Sequence, residues 1–312
     1  MVLVTATQPP IIFEWTGAGI DVSQLKYRRY PQHDFTRNGY VGNSPTFVRY
    51  TITGGVVSGQ AIQPTVASVP TATLPTLSIL NPGALIPSFP GFWFDGSTAD
   101  SHYVGGVVQM AGPVDDPTAP IGYAIIEAID SNTVARIRIY TRIDSSWDFA
   151  TAVAGVTGDQ MVLTEPAFSS PSSAAPPPPT FPGRGHPRTV SFYESRLCFA
   201  GSAGLPQSIF MSQIGAFENF DTGTGEPADG IAYTIASGAE DEIINMVSGR
   251  SLQVFTTTNE FSAPVWSEQG LTPTTVTSRR QTSIGSLNCI PAILDNMTIY
   301  GKRGGKAIMA FE

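Results

Sequence analysis

The sequence predicts an all-β fold with many short antiparallel strands, in a propeller-like or sandwich-like arrangement with a long proline-rich linker. Charged residues make up only 13% of the 312 residues, about half of the usual share, so residues that cover ordinary helices are scarce. The 31 glycines and 26 prolines interrupt the chain, and Val, Ile, Thr, Phe and Tyr between them favour strands. This length suggests about two domains or one large β architecture.

The first two segments come before the clearest strand patterns. We assign residues 1–59 to an N-terminal β segment. Residues 60–100 are predicted to be an extended, low-charge arm or loop, because prolines recur between Gln60 and Pro90 without a clear period. Since this arm is apolar, we expect it to lie on another surface rather than to extend into solvent.

Residues 101–168 are predicted to form a small β domain, whose clearest strand is at residues 135–143. This strand alternates isoleucine with arginine: Ile137, Ile139 and Ile143 on one face, and Arg136, Arg138 and Arg142 on the other. Because successive side chains of a strand point to opposite faces, the pattern indicates a half-buried strand with a basic face. We interpret the basic face as solvated rather than polyanion-binding, since the whole chain is acidic.

A proline-rich linker at residues 169–185 separates this region from the last one. Its four successive prolines, at residues 176–179, fit neither a helix nor a paired strand and indicate an extended connector. Residues 186–312 are predicted to form a larger β domain that is incomplete at its C-terminus, because the last residues still have a strand pattern. Its predicted strands are residues 189–199, 207–212, 231–236, 243–247, 251–257, 274–278, 289–294, 297–301 and 306–311.

The charge balance disfavours several classes of function. The chain has 17 basic and 25 acidic residues and a net charge of −8, which disfavours tight binding to nucleic acid phosphates. The first lysine is Lys26, so no basic signal-peptide region begins the chain. No apolar run approaches the roughly 18 residues of a membrane span. We expect a soluble chain without membrane insertion.

The residues that usually carry chemistry are few and scattered. Cys198 and Cys289 are too few for a disulfide framework or a thiolate metal site, and both are predicted to be buried small hydrophobic residues. His33, His102 and His186 lack the spacing of metal ligands. No nucleophile elbow, phosphate loop or dinucleotide fingerprint occurs. We therefore predict no catalytic, cofactor-binding or metal-binding residues, no cofactor and no enzymatic activity.

Clusters of acidic residues have a simple structural interpretation. We interpret the clusters at residues 115–116 and 240–242 as solvated turns, as expected by chance in an acidic chain. The loop at residues 221–230 is also acidic but lacks the ligand spacing of a calcium loop.

The most specific motif lies directly after the linker. Residues 185–201 are GHPRTVSFYESRLCFAG, which resembles the stretch G-x-P-R-x-V-x-F-x-x-x-R-L-x-F-A-G of tail nozzle proteins of short-tailed bacteriophages, also called tail tubular protein B. Further segments resemble this family in the same order: residues 206–212, 217–220, 232–238, 271–273, 279–286 and 302–306. Residues 2–10 and 122–138 resemble interior segments of longer nozzle proteins. The main resemblance thus covers residues 183–312.

The resemblance implies a structural virion protein of the phage tail. Nozzle proteins form a homohexameric ring below the tail adaptor, around the channel through which the genome leaves. The implied partners are further copies of the chain, the tail adaptor ring and tail fibre or tailspike proteins, while genomic DNA passes through without specific binding. An acidic channel would let DNA slide by repelling its phosphates. Arg188 and Arg196 are expected to tie turns together, and Gly285 to form a tight turn.

Two other functions remain open at this stage. One is a receptor-binding or carbohydrate-binding β module of a phage tail, which would stack sugars on aromatic side chains. The candidate platforms are Phe92, Trp93, Phe94 and Trp266. The other is a glycan-degrading enzyme on a propeller, with acids such as Asp221 or Glu240 as catalysts.

Overall fold

The computed structural model divides the chain into two compact units. Unit 1 comprises Met1–Pro31, Ala167–Pro171 and Phe181–Glu312, and unit 2 comprises Gln32–Pro166 and Ser172–Thr180. The structure describes residues 1–25, 27–32, 49–58, 61–66, 68–80, 104, 106–110, 122–131, 133–141, 143–144, 156–158, 162–164, 167–168, 185–235, 241–263, 270–295 and 297–311. Apart from Gly185, the predicted linker lies outside these residues.

The described residues confirm the all-β class. All their sheets are antiparallel, and the helical structure among them is a 3-10 turn at Thr71–Thr73. Within the described ranges, no helix has the length and apolar character needed to cross a membrane. The propeller-like or sandwich-like arrangement of the sheets stays a prediction.

Unit 1 begins with a three-stranded N-terminal sheet in the order β1-β2-β3. Its strands are β1 (Val2–Thr5), β2 (Gln8–Trp15) and β3 (Ile20–Gln24). The backbone N–H of His186 donates to the carbonyl of Ala6 at 3.1 Å, so the start of the chain is joined to the motif region far away in sequence.

Unit 2 contains a seven-stranded sheet and a small three-stranded sheet. Its strands are β4 (Arg49–Thr53), β5 (Val57–Ser58), β6 (Ala61–Ile62), β7 (Thr76–Leu80), β8 (Val107–Met110), β9 (Gly122–Ser131), β10 (Val134–Ile139), β11 (Ile143–Asp144), β12 (Val156–Gly158) and β13 (Val162–Thr164). The large sheet has the order β12-β4-β7-β10-β9-β8-β13, and the small one has the order β11-β6-β5.

Strand β7 corrects part of the predicted arm at residues 60–100. It pairs with β4 on one side and with β10 on the other, and Leu77 is fully buried. The backbone of this stretch is therefore held in a sheet rather than laid over a surface, because its alternating apolar and hydroxyl residues suit a paired strand. Residues 81–100 lie outside the described residues.

Strand β10 has the predicted alternation, and acids of its neighbour neutralise its basic face. Ile137 and Ile139 are buried. Arg136 donates to Asp130 and Arg138 to Glu127 on β9, each at 2.9 Å. The observed strand is shorter than the predicted one, since β10 ends at Ile139. Arg142 lies outside the described residues.

The rest of unit 1 consists of three sheets whose strands pair in chain order. The first contains β14 (Thr189–Tyr193), β15 (Arg196–Ser202), β16 (Leu205–Met211) and β17 (Ile231–Thr234). The second contains β18 (Ile243–Ser248), β19 (Leu252–Thr256), β20 (Glu260–Ala263) and β21 (Arg279–Thr282). The third contains β22 (Ala292–Leu294), β23 (Met297–Gly301) and β24 (Ile308–Phe311).

Two apolar clusters hold these sheets together. The first and second sheets share a core that includes Cys198, Ile209, Ile243 and Leu252. Residues from the second and third sheets form a smaller cluster of Phe255, Tyr300 and Phe311. Burial of such aromatic side chains contributes strongly to the stability of a β protein.

Candidate functional site

The segment that carries the motif folds as a hairpin rather than as the single strand predicted at residues 189–199. Strands β14 and β15 are joined at Glu194 and Ser195, whose φ angles of 46° and 58° are in the left-handed region. Two such residues make the tight turn that suits the twist of a hairpin. The Glu194 carboxylate accepts the backbone N–H of Leu271 at 2.8 Å, so this turn is tied to a distant segment.

Arg196, the residue after this turn, is the centre of the site. Its side chain is fully buried, and Nη1 donates to the carbonyl of Ser212 at 2.7 Å. The same nitrogen donates to the carbonyl of Asp229, and Nη2 donates to that of Pro227, both at 2.5 Å. Burial lowers the pKa of the guanidinium. Arg196 therefore links β15 to the loop at residues 221–230 and to the end of β16 through the planar donors of its guanidinium.

Asp229 organises that loop from within. Its Oδ2 accepts three backbone N–H groups at 2.9 to 3.1 Å, those of Thr224, Gly225 and Glu226. Its Oδ1 accepts a hydrogen bond from Gln213 Nε2 at 3.4 Å. A carboxylate that accepts several N–H donors replaces the backbone pairing that a loop lacks. The aspartate thus shapes the backbone whose carbonyls Arg196 binds.

Asp221, a candidate catalyst in the enzyme hypothesis, is also engaged by protein donors. Its Oδ2 accepts Nη2 of Arg29 at 3.1 Å, and its Oδ1 accepts the N–H of Gly223 at 3.2 Å. Glu240 lies outside the described residues, as do the stacking candidates at residues 92–94 and Trp266. Within the described ranges, no group of three or more His, Cys, Asp or Glu residues is placed to hold a metal ion.

The predicted solvated turn at residues 240–242 is wrong for Asp241, which is buried. Its carboxylate accepts Thr256 Oγ1 and Asn259 Nδ2, each at 2.7 Å, and Thr257 Oγ1 at 2.8 Å. Burial by itself would raise the pKa of Asp241, but these hydrogen bonds and one from the N–H of Thr258 outweigh it and lower the pKa. The carboxylate is thus held charged by the Thr-rich turn between β19 and β20.

Asp241 predicts a specific acid sensitivity. Because its folded pKa lies below the ordinary value of 3.8, its stabilising effect is present above that pH and is lost as the pH falls through the folded pKa. Asp241→Asn should lower the free energy of unfolding at pH 7 by about 1–3 kcal/mol. Urea unfolding should be measured at pH 7 and at a pH below the folded pKa of Asp241. The difference in the free energy of unfolding between wild type and variant should be smaller at the acidic pH. A difference that stays constant across this range would contradict the assignment.

Arg188, the other predicted organiser, lies nearer the surface. Its Nη1 donates to the Glu242 carboxylate at 2.8 Å, and both side chains are partly exposed. Exposed ion pairs stabilise a protein by less than about 1 kcal/mol. Arg188 therefore ties β14 to the start of β18 only weakly, in contrast to the buried Arg196.

The two cysteines differ in their surroundings. Cys198 is buried as predicted, and burial raises its pKa to about 12, so its thiol is inert at neutral pH. Cys289 is exposed, and the prediction of a buried residue is wrong there. Its neighbours along the chain include Leu287, Ile290 and Ile293, which suggest a buried segment, and only the tertiary structure shows that the position is exposed. Of the histidines, His186 is buried, which lowers its pKa, whereas His33 and His102 lie outside the described residues.

The site as a whole is a structural junction. Its carboxylates accept protein N–H and O–H donors, and its arginine donates to carbonyls, so the polar groups are used to hold loops and sheets. Sequence reasoning missed Glu194, Asp229 and Asp241. Asp229 directly precedes a glycine, and this turn-forming signal could have indicated it. The partners of Asp241 lie 15 or more residues further along the chain, so no local signal marks that residue.

Comparison with models of known protein families and with curated proteins found no match for this chain.

Proposed function

We propose that this chain is a structural subunit of the tail of a short-tailed bacteriophage, a nozzle protein that forms a homohexameric ring around the DNA ejection channel. The observation that carries this proposal is the ordered series of nozzle-like motifs between residues 183 and 312. Such a series is more specific than any single motif. In this proposal the protein is not an enzyme and belongs to the virion.

The roles of the motif residues are consistent with a structural protein. Arg196 is fully buried and binds carbonyl groups. Gly201 and Gly285 have φ angles of 73° and 77°, where a glycine is needed. Motif positions that serve the fold, and not a reacting group, favour a scaffold over a catalyst.

The sheets after the linker support a propeller-like scaffold. They follow one another along the chain, and the first two have four strands each. Their first strands, β14 and β18, contact each other. Consecutive four-stranded meander sheets are the repeating element of a β-propeller. A rigid scaffold of this kind suits a subunit that must keep a channel open.

The charge supports a channel that does not retain DNA. With a net charge of −8, the chain has no overall positive field to attract phosphates. In the proposed assembly the genome passes through without specific binding. The ring would contact the tail adaptor on one side and tail fibres or tailspikes around it.

Electron-microscopic class averages of the purified full chain, and of the phage particle that contains it, test the proposal. We expect a six-fold ring around an open channel, below the adaptor in the particle. A receptor-binding module would instead lie at the tip or periphery of the tail, without a channel. The absence of a ring from both preparations would reject the nozzle proposal.

A further inference from the structure

The loop at residues 221–230 contains a pair of residues that is prone to a spontaneous rearrangement of the backbone. Asp229 is followed directly by Gly230. Because glycine has no side chain, its backbone nitrogen is unhindered and adopts conformations that bring it close to the preceding carboxyl group. The nitrogen then attacks Cγ of the aspartate and closes a five-membered succinimide ring. Asp229–Gly230 is therefore a candidate modification site.

This rearrangement needs only water as a co-reactant. The bond from the Gly230 nitrogen to Cγ of Asp229 forms, the bond from Cγ to a carboxyl hydroxyl breaks, and the amide proton leaves with that hydroxyl as water. Water then opens the ring at one of its two carbonyl groups. Opening at Cγ restores aspartate. Opening at the main-chain carbonyl gives isoaspartate, in which the backbone runs through Cβ and Cγ and the mass of the chain is unchanged.

The folded loop holds the carboxylate away from the attacking nitrogen. Oδ2 of Asp229 accepts the backbone N–H groups of residues 224–226 at 2.9 to 3.1 Å, and Oδ1 accepts Nε2 of Gln213 at 3.4 Å. The carboxylate lies against Gly223, where an added Cβ would be 2.3 Å from Oδ2. Rotation of the carboxylate toward Gly230 would break these hydrogen bonds together.

The attacking nitrogen is held as well. The N–H of Gly230 donates to the carbonyl of Asp221 at 2.7 Å. Gly230 is buried, and a Cβ added there would lie 2.9 Å from the Asp221 carbonyl oxygen and 2.9 Å from the carbonyl carbon of Phe220. Arg196 fixes the peptide group between Asp229 and Gly230, because Nη1 donates to the Asp229 carbonyl at 2.5 Å. Both reacting groups therefore have other partners in the folded protein.

We propose that Asp229–Gly230 is an isomerisation site that the fold protects, and that isoaspartate forms there when the loop opens. The protection comes from the loop itself and from the side chains of Arg196 and Gln213. Local opening of such a loop does not require unfolding of the whole domain. The inference concerns this loop alone and holds whether or not the chain forms a ring.

Isoaspartate at position 229 would prevent the loop from closing again. The rearranged backbone is one carbon atom longer, so the carbonyl that Arg196 binds is displaced. The carboxylate is then attached directly to Cα, one bond closer to the backbone, and it no longer reaches the N–H groups of residues 224–226. Backbone and arginine donors would both be left without acceptors in the closed loop. Opening of the loop thus becomes irreversible once this residue has isomerised.

Peptide mapping of the full chain, after incubation at neutral pH in buffer and in urea, tests the protection. Isoaspartate at position 229 should form about ten-fold faster or more in urea than in buffer. Gln213→Ala removes the donor to Oδ1 and should raise the rate in buffer about three-fold, with a circular dichroism spectrum like that of wild type. Arg196→Ala should raise it further. Arg188→Ala, which removes an exposed ion pair elsewhere, is the matched control and should leave the rate unchanged.

Two results would overturn the protection by the loop. One is an equal rate of isomerisation at position 229 in buffer and in urea. The other is a rate for folded Gln213→Ala that is the same as that of wild type and of Arg188→Ala. Because Gln213→Ala is judged only while it is folded, the test does not depend on whether the Arg196→Ala chain folds.

Refolding tests the consequence of the modification. The full chain is held in urea for increasing times and diluted into buffer, and chains that refold are separated from those that do not by size-exclusion chromatography. Isoaspartate at position 229 should be confined to the fraction that does not refold. A protein isoaspartate methyltransferase, which returns isoaspartate to aspartate through the same ring, should increase the refolded share of that fraction. An equal content of isoaspartate at position 229 in both fractions would contradict the inference.

Discussion

Arg196→Ala is expected to lower the free energy of unfolding by about 3–5 kcal/mol, with a fall in Tm of about 10 °C. The arginine is fully buried, and its removal leaves the carbonyls of Ser212, Pro227 and Asp229 without their donor. A buried acceptor that loses a charged donor is destabilised by about 1–3 kcal/mol. Thermal and urea unfolding, followed by circular dichroism, would measure the loss.

Two further variants separate the geometry of Arg196 from its charge. Arg196→Lys keeps the charge but cannot bind several carbonyls from one planar group, so we expect a loss close to that of alanine. Arg188→Ala removes an exposed partner of Glu242 and should lower the free energy of unfolding by less than about 1 kcal/mol. Equal effects of Arg196→Ala and Arg188→Ala would contradict the central role of Arg196.

Gly285→Ala should have the second large effect, lowering the free energy of unfolding by about 3–5 kcal/mol through strain at a special backbone conformation and a steric clash. Gly285 has a φ of 77°, and a Cβ there would lie 2.3 Å from the carbonyl oxygen of Thr257. The left-handed conformation alone disfavours alanine by about 1–2 kcal/mol, and the clash is with backbone, which cannot rotate away. The neighbouring bond from Ser286 N–H to the Thr256 carbonyl would have to shift as well. Urea unfolding measures the effect.

Gly304→Ala is the matched control for this prediction. Its φ is 89°, also in the left-handed region, but no atom lies within 4 Å of the added Cβ. The left-handed backbone conformation is then the only cost of the substitution, so the free energy of unfolding should fall by about 1–2 kcal/mol. Similar losses for the two variants would show that the approach to Thr257 is unimportant.

The strands that sequence reasoning found are those that local patterns specify. The predicted strand at residues 297–301 is β23 (Met297–Gly301), and the one at residues 243–247 is β18 within one residue. In both, apolar and β-branched residues lie between clear turn signals. Strand β20 was missed because its four residues, Glu260–Ala263, include two polar ones that are buried only by the neighbouring strands.

The predicted strand at residues 274–278 is instead a turn, because of local hydrogen bonds that β propensity does not take into account. The Thr-rich stretch at residues 274–278 has high β propensity. In the structure the Thr275 hydroxyl accepts the N–H of Thr272, and the Thr272 hydroxyl accepts the N–H of Thr275, each at 3.2 Å. Threonine side chains can satisfy their own backbone in this way and compete with strand pairing.

The sequence by itself determined that this protein is built of short β-strands, because side-chain alternation and Gly or Pro punctuation act over a few residues. It also indicated Arg196 and Gly285 as residues of the fold. Only the tertiary structure decided that Asp241 is buried, that Cys289 is exposed and that β7 lies inside a sheet. Burial of a side chain depends on its contacts with residues that are distant in the sequence. These contacts cannot be deduced from local propensity or local charge.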